Sequence, residues 1–226
     1  MNWMPFSQDV ISVILLSLQV STIAIMIGVL IGIPFGSFLG LYTFPGKRLL
    51  TAVIYTLMGL PPVLIGVVVY LLLSKHGPLG SLQWLFTPQA MMVAQTILVT
   101  PIIIGLSMAA VQAKEQTYLE TIKSLGATPV QTVWTIIKES RKGIWAGVAT
   151  AYGRAISEVG AVMLVGGNIE GHTRVMTTAI ILETRMGNFD AALQLGAVLL
   201  FISFILNNLL VMGILADFRS RRRRES

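Results

Sequence analysis

Apolar residues run along this chain in five long stretches, separated by short polar or charged segments. The stretches cover about 10–41, 51–73, 89–112, 143–165 and 190–216. A helix rises 1.5 Å per residue, so roughly 20 apolar residues cross a hydrocarbon core about 30 Å thick. The pattern therefore predicts five transmembrane helices, the first long enough to tilt or protrude. Pro61-Pro62 and Pro101 fall inside spans two and three, where kinks are expected. Gly28, Gly32, Gly36 and Gly40 recur every fourth residue along span one. They share one face, and close packing within the molecule is their expected role.

One segment departs from the pattern. Residues 119–140 read LETIKSLGATPVQTVWTIIKES, with charges set between apolar positions. Leu119, Ile122 and Leu125 keep helical spacing, and Gly126 then suits a left-handed helix end. Thr128, Pro129 and Gln131 follow as N-cap, first helical residue and N3, the pattern of a capping box. A second amphipathic helix continues through Val130, Val133, Trp134 and Ile137. The local chemistry specifies helix, corner, helix, with its apex at Gly126, Ala127 and Thr128. Two readings stay open on these grounds. The elbow projects beyond the membrane towards a soluble partner, or it lies on lipid with Lys123, Lys138 and Arg141 at headgroups.

Composition agrees with a membrane protein. Hydrophobic residues make up 54% and charged residues 12%, at a mean hydropathy of +0.79, where soluble domains carry about a quarter charged residues. The 226 residues are read as one domain, 1–226. The absence of cysteine excludes disulfides and thiolate chemistry. His76 and His172 are too few and too far apart to suggest a metal site, and no cofactor is expected. The first apolar run lacks a basic leader and extends to Leu41, so it is read as a retained helix rather than a signal peptide.

Charge placement orients the chain. Lys47, Arg48, Lys114, Lys123, Lys138, Arg141, Lys142, Arg219 and Arg221 to Arg224 occupy alternate connections and the tail. The opposite side carries Lys75, Arg174 and Arg185. The positive-inside rule then places the N-terminus outside and the elbow and tail in the cytoplasm. The arginine-rich tail reads as an anchor at anionic headgroups rather than a nucleic-acid site.

Inside span four, Arg154 and Glu158 stand four residues apart, a spacing that puts them on one helix face. Ionisable residues in hydrocarbon usually face a bundle interior or a watery path. They read either as a pair near the translocation pathway or as a neutralising pair that locks packing. Gly166, Gly167, Asn168 and Gly171 should end that span. The segment 176–186 is too interrupted to cross, so a short re-entrant or outer-surface helix is expected. It would serve as an external gate, a docking surface or a plain connector.

Two motifs carry a family resemblance. Glu120-Thr121-Ile122, three residues, Gly126, nine residues and Ile136 resemble the E-A-A…G…I loop of ABC-importer permeases. Thr121 and Ile122 replace the two alanines, and Lys138-Glu139 replaces Leu-Pro. The second motif, GRAISEVGAVMLVGGNIEGHTRVMTTAI, resembles the molybdate, tungstate and sulfate permeases, and its wording is nearest to the tungstate-specific group. Arg154, Ala155, Glu158, Gly160, Ala161, Gly167, Asn168, Ile169 and Gly171 fill that pattern. The resemblance covers about residues 10–216 and implies an all-α type I importer fold of the MetI-like kind. It implies a coupling role for Glu120, Gly126, Ala127, Thr128 and Pro129, with Arg154, Glu158 and Asn168 as pathway or gate candidates. It also implies a homodimer of permeases, two separate ABC ATPase subunits, an extracytoplasmic tungstate- or molybdate-binding protein, and a prokaryotic cytoplasmic membrane. The chain has no G-x-x-x-x-G-K-[ST] element, so ATP hydrolysis belongs to another subunit and no enzyme activity is expected here. Rival readings are an ATP-independent secondary carrier and a membrane scaffold without transport.

Overall fold

The computed structural model describes the backbone of residues 8–222 and the side chains of residues 10–212 other than 116, 123 and 211. In chain order the described residues form α1 (Gln8–Leu41), α2 (Lys47–Met58), α3 (Pro62–Leu73), a 3-10 turn (Gly80–Leu82), α4 (Pro88–Ser124), α5 (Pro129–Ile156), α6 (Gly160–Gly166), α7 (Met176–Arg185) and α8 (Phe189–Arg222). No strand occurs among them. The side chains of the basic tail lie outside the described residues.

Helices α1, α4 and α8 are each long and apolar enough to cross a membrane. Two further crossings are bent pairs, α2 with α3 at 98° and α5 with α6 at 54°. Five spans result if each pair counts as one. The Pro61-Pro62 break is far sharper than a kink. Neither proline can donate a backbone hydrogen bond, and Pro61 is extended at φ −61°, ψ 123°, so Pro62 starts a new helix instead of continuing the old one. Pro101, by contrast, does not interrupt α4.

Helix α4 is the centre of the bundle, packed by α1, α2, α3, α5 and α6. The glycine ladder explains how α1 lies so close to it. A Cβ at Gly36 would come within 2.5 Å of the Ile104 carbonyl oxygen, and one at Gly40 within 2.7 Å of Val111 Cβ. Met91, Ala94, Val99 and Ile103 of α4 fill the main core with Val148, Ala151 and Ala155 of α5 and Ala161, Val162 and Val165 of α6. Helix α7 forms a smaller cluster with α1 and α8 through Met176, Ala179, Val10, Val13 and Leu195. Much of α8, including Leu200, Phe201, Phe204 and Leu209, stays exposed.

Candidate functional site

The elbow is built from the ends of two long helices rather than from a separate helix pair. Helix α4 spans 37 residues and α5 spans 28, about 55 Å and 42 Å of rod. Each runs without a break from the bundle to the corner. Gly126 takes φ +74°, the left-handed conformation that costs glycine no Cβ clash. The Ala127 N–H reaches back to the Ile122 carbonyl at 3.4 Å, the outer bond of a Schellman turn, and Ala127 packs in the same apolar cluster as Ile122. The Thr128 hydroxyl accepts from the Gln131 N–H at 3.3 Å, and the Gln131 side chain accepts from the Thr128 N–H at 2.8 Å. That reciprocal pair is the capping box expected from the sequence, with Pro129 in the first turn.

The elbow has two unlike sides. Ile122 and Ile136 are buried against Val111 and Ile144 and hold it shut from within. Leu125, Val130 and Trp134 are 80%, 78% and 69% exposed, a concentration of apolar surface at the corner. Glu120, Thr128 and Pro129 are exposed beside them, and Ala127 is half-buried. The five coupling candidates thus share one protruding corner.

The pathway candidates are arranged otherwise. Helix α5 stops at Ile156, so Arg154 and Glu158 do not share a helix face and form no ion pair. The expectation of an i,i+4 pair is corrected by the polar chemistry of the break itself. The Ser157 hydroxyl bonds the Gly153 and Arg154 carbonyls, at 2.9 and 3.2 Å, and the Glu158 N–H turns back to the Ala155 carbonyl at 3.2 Å. Those local partners compete with continued helix. Glu158 then caps the next helix, its Oε1 accepting the Ala161 N–H at 3.1 Å. Glu158 is buried, whereas Arg154 is exposed. Asn168 lies at the far end of α6, in the left-handed conformation at φ +53° after Gly167 at φ +73°. The three candidates therefore do not converge.

Other residues tie this region together. The Thr177 hydroxyl of α7 donates to the Glu158 carbonyl at 2.9 Å. The Met176 N–H donates to Ser17 Oγ of α1 at 2.8 Å. Gln95 of α4 donates from Nε2 to the Ala155 carbonyl at 3.0 Å, next to the break. In the following turn, the Thr173 hydroxyl donates to the Gly166 carbonyl and accepts the Ile169 N–H. Gln95 was not picked out from sequence. Its signal was an amide well inside the apolar run 89–112, whose other two glutamines, Gln89 and Gln112, stand at its ends. No group of three or more metal-ligating side chains occurs among the described residues.

Comparison with known proteins adds an independent line. The family model described as "Binding-protein-dependent transport system inner membrane component" matches residues 32–225. A protein named tungstate uptake system permease protein TupB, from Peptoclostridium acidaminophilum, is 45% identical over 89% of both chains. One of the same name from Campylobacter jejuni is 41% identical over 88% of this chain and 84% of its own length. The molybdenum transport system permease protein ModB of Escherichia coli is 28% identical over 79% and 82%. Among solved structures, the inward-facing MetNI methionine ABC transporter superposes with a TM-score of 0.72 at 17% identity, covering 93% of this chain and 98% of that one.

Proposed function

The chain belongs to the family of binding-protein-dependent transport system inner membrane components, and from that premise we propose that it carries tungstate. As a family member it is the transmembrane permease subunit of an ABC importer in a prokaryotic inner membrane, a transport component whose ATPase is a separate subunit. The substrate rests on relatives named for tungstate uptake at 41% and 45% identity, against 28% for the molybdenum permease. Molybdate or sulfate is the runner-up, both being tetrahedral dianions carried by more distant relatives.

The observation that carries the mechanism is the capped elbow at the end of two unbroken rods, with Leu125, Val130 and Trp134 facing outward. An apolar tip of this kind needs a complementary groove, and a separate ATPase supplies one. We place the elbow in the cytoplasm, in line with the charge distribution, and pair two permeases about a two-fold axis. ATP binding would draw the two ATPases together and move both elbows. Helices α4 and α5 would transmit that motion as levers, so the membrane domain switches between two packings biased by nucleotide. A binding protein delivers the oxyanion from outside. Within the bundle, Arg154 is exposed for contact with the pathway, Glu158 holds the α5–α6 break from inside, and Asn168 shapes the outer turn.

The test is reconstitution of the permease with its ATPase and binding protein in vesicles. Tungstate should accumulate with ATP hydrolysis, in preference to molybdate when both are offered at equal concentration. Gly126→Trp at the apex should abolish uptake without removing the permease from the membrane. Equal uptake by the permease alone, without the ATPase, would move the assignment to a secondary carrier.

A further inference from the structure

A small, partly open cavity lies where α1, α4, α7 and the α5–α6 break meet. Its volume is about 10 Å³, and its polar lining is Ser17, Ser21, Gln95, Glu158 and Thr177. That volume is close to the minimum needed for one water molecule. The lining is unusually polar for the core of an apolar bundle, with three hydroxyls, an amide and a carboxyl group around one small space. The Thr177 hydroxyl hydrogen is committed to the Glu158 carbonyl. One amide hydrogen of Gln95 is donated to the Ala155 carbonyl. Ser17 Oγ is committed too, donating to the Val13 carbonyl and accepting the Met176 N–H, and the Ser21 hydroxyl shares the space with Gln95 and Glu158. Gln95 is only 4% exposed, and its Oε1 is buried without a hydrogen-bond partner.

An unpartnered amide oxygen beside a buried carboxyl group suits an occupant that can donate to both. A buried amide oxygen left unpaired costs about 1–3 kcal/mol. We infer that this cavity is a binding site for one water molecule, which donates to Gln95 Oε1 and to the Glu158 carboxylate. The water completes a polar clasp. Gln95 holds the last turn of α5 through the Ala155 carbonyl, Glu158 holds the first turn of α6 through the Ala161 N–H, and the water joins the two side chains. Helix α4, one of the levers, is thereby fastened to the bend. Gln95 is a positioning residue in this scheme, since it acts on the break and not on the transported ion.

The water site stands on the cavity alone, while its consequence for coupling rests on the importer reading. The experiment separates them. An experimental density map of the complete transporter, at a resolution that resolves waters, should show one solvent peak about 2.7–3.2 Å from both Gln95 Oε1 and a Glu158 oxygen. A cavity without a peak, a protein donor on Gln95 Oε1, or a peak with five or six oxygens at about 2.4 Å, the signature of a bound cation, would each overturn the water. Gln95→Met keeps length and volume but removes both hydrogen bonds. It should speed amide exchange at residues 158–161 by roughly 3- to 10-fold, as expected for losing one hydrogen bond. It should also raise the ATP hydrolysed per ion delivered. Exchange and coupling both at the wild-type level would refute the clasp. Wild-type density decides the water even where the variant fails to assemble. Faster exchange with unchanged coupling would keep the water and reject its part in transport.

Discussion

Replacing Gly36 by alanine puts one methyl group where α1 and α4 leave no room for it. The added Cβ would sit 2.5 Å from the Ile104 carbonyl oxygen and 2.9 Å from Ser107 Cβ. The first of these is backbone of the central helix and cannot rotate away, so the two helices must separate. Overpacking of this kind costs about 1–3 kcal/mol. Alanine also favours helix over glycine by about 1 kcal/mol, which would mask part of the loss. Gly196→Ala of α8 supplies the control, because nothing lies within 4 Å of its Cβ position. The propensity gain cancels in the difference between the two variants, leaving the clash. At roughly 2–4 °C per kcal/mol for a chain of this size, Gly36→Ala should melt about 2–12 °C below Gly196→Ala. The measurement is thermal unfolding of the permease–ATPase complex in detergent, followed by tryptophan fluorescence. Equal melting temperatures would mean that α1 does not rest on α4 through this ladder.

Further outcomes follow from the bends and caps. Thr128→Ala removes the N-cap of α5 and should cost about 0.5–2 kcal/mol; the elbow should fray first, seen as faster amide exchange at Val130 and Gln131 and lower uptake per ATP. Arg154→Ala and Glu158→Ala should act additively on transport in a double-mutant cycle, within about 0.3–0.5 kcal/mol, because Glu158 bonds the Ala161 N–H and not Arg154. A larger coupling energy would restore the ion pair. Glu158→Ala alone should also lower thermal stability more than Arg154→Ala, since only Glu158 is buried. Thr173→Val should loosen the turn after α6 by about 1–3 kcal/mol, with the Ile169 amide the first to exchange.

The features legible in the sequence were those with local causes. Thr128, Pro129 and Gln131 specify a capped helix start within four residues, and Gly126 a left-handed helix end, so the elbow could be read before any tertiary contact was known. The ladder from Gly28 to Gly40 likewise announced a close helix contact through its spacing alone. The four-residue spacing of Arg154 and Glu158 misled, because it assumed an unbroken helix. Ser157 and Glu158 sit in an apolar run, and what ends α5 there is hydrogen bonding together with partners distant in sequence. Thr177 is 19 residues from Glu158, and Gln95 is 60 from Ala155. No window along the chain brings those together. The Pro61-Pro62 pair marked where span two changes direction, but the 98° angle goes with different partners for the two halves, α2 resting on α4 and α3 chiefly on α6. The length of the elbow was also hidden. The apolar stretch ends near residue 112 and the elbow stands out from 119 as a segment of its own, whereas α4 runs through both to Ser124.

The central claim is that the corner at Ala127 is the point where an ATPase takes hold of the membrane domain. With no native cysteine in the chain, Ala127→Cys provides a single thiol at that corner. Crosslinking it to cysteines placed around the surface of the ATPase subunit, in the assembled transporter, is the most direct measurement. The account predicts one efficient crosslink to a groove on the ATPase, with a yield that changes when ATP is bound. A transport-competent complex in which this thiol reacts only with a membrane-impermeant reagent added from outside, and never with the ATPase, would contradict it.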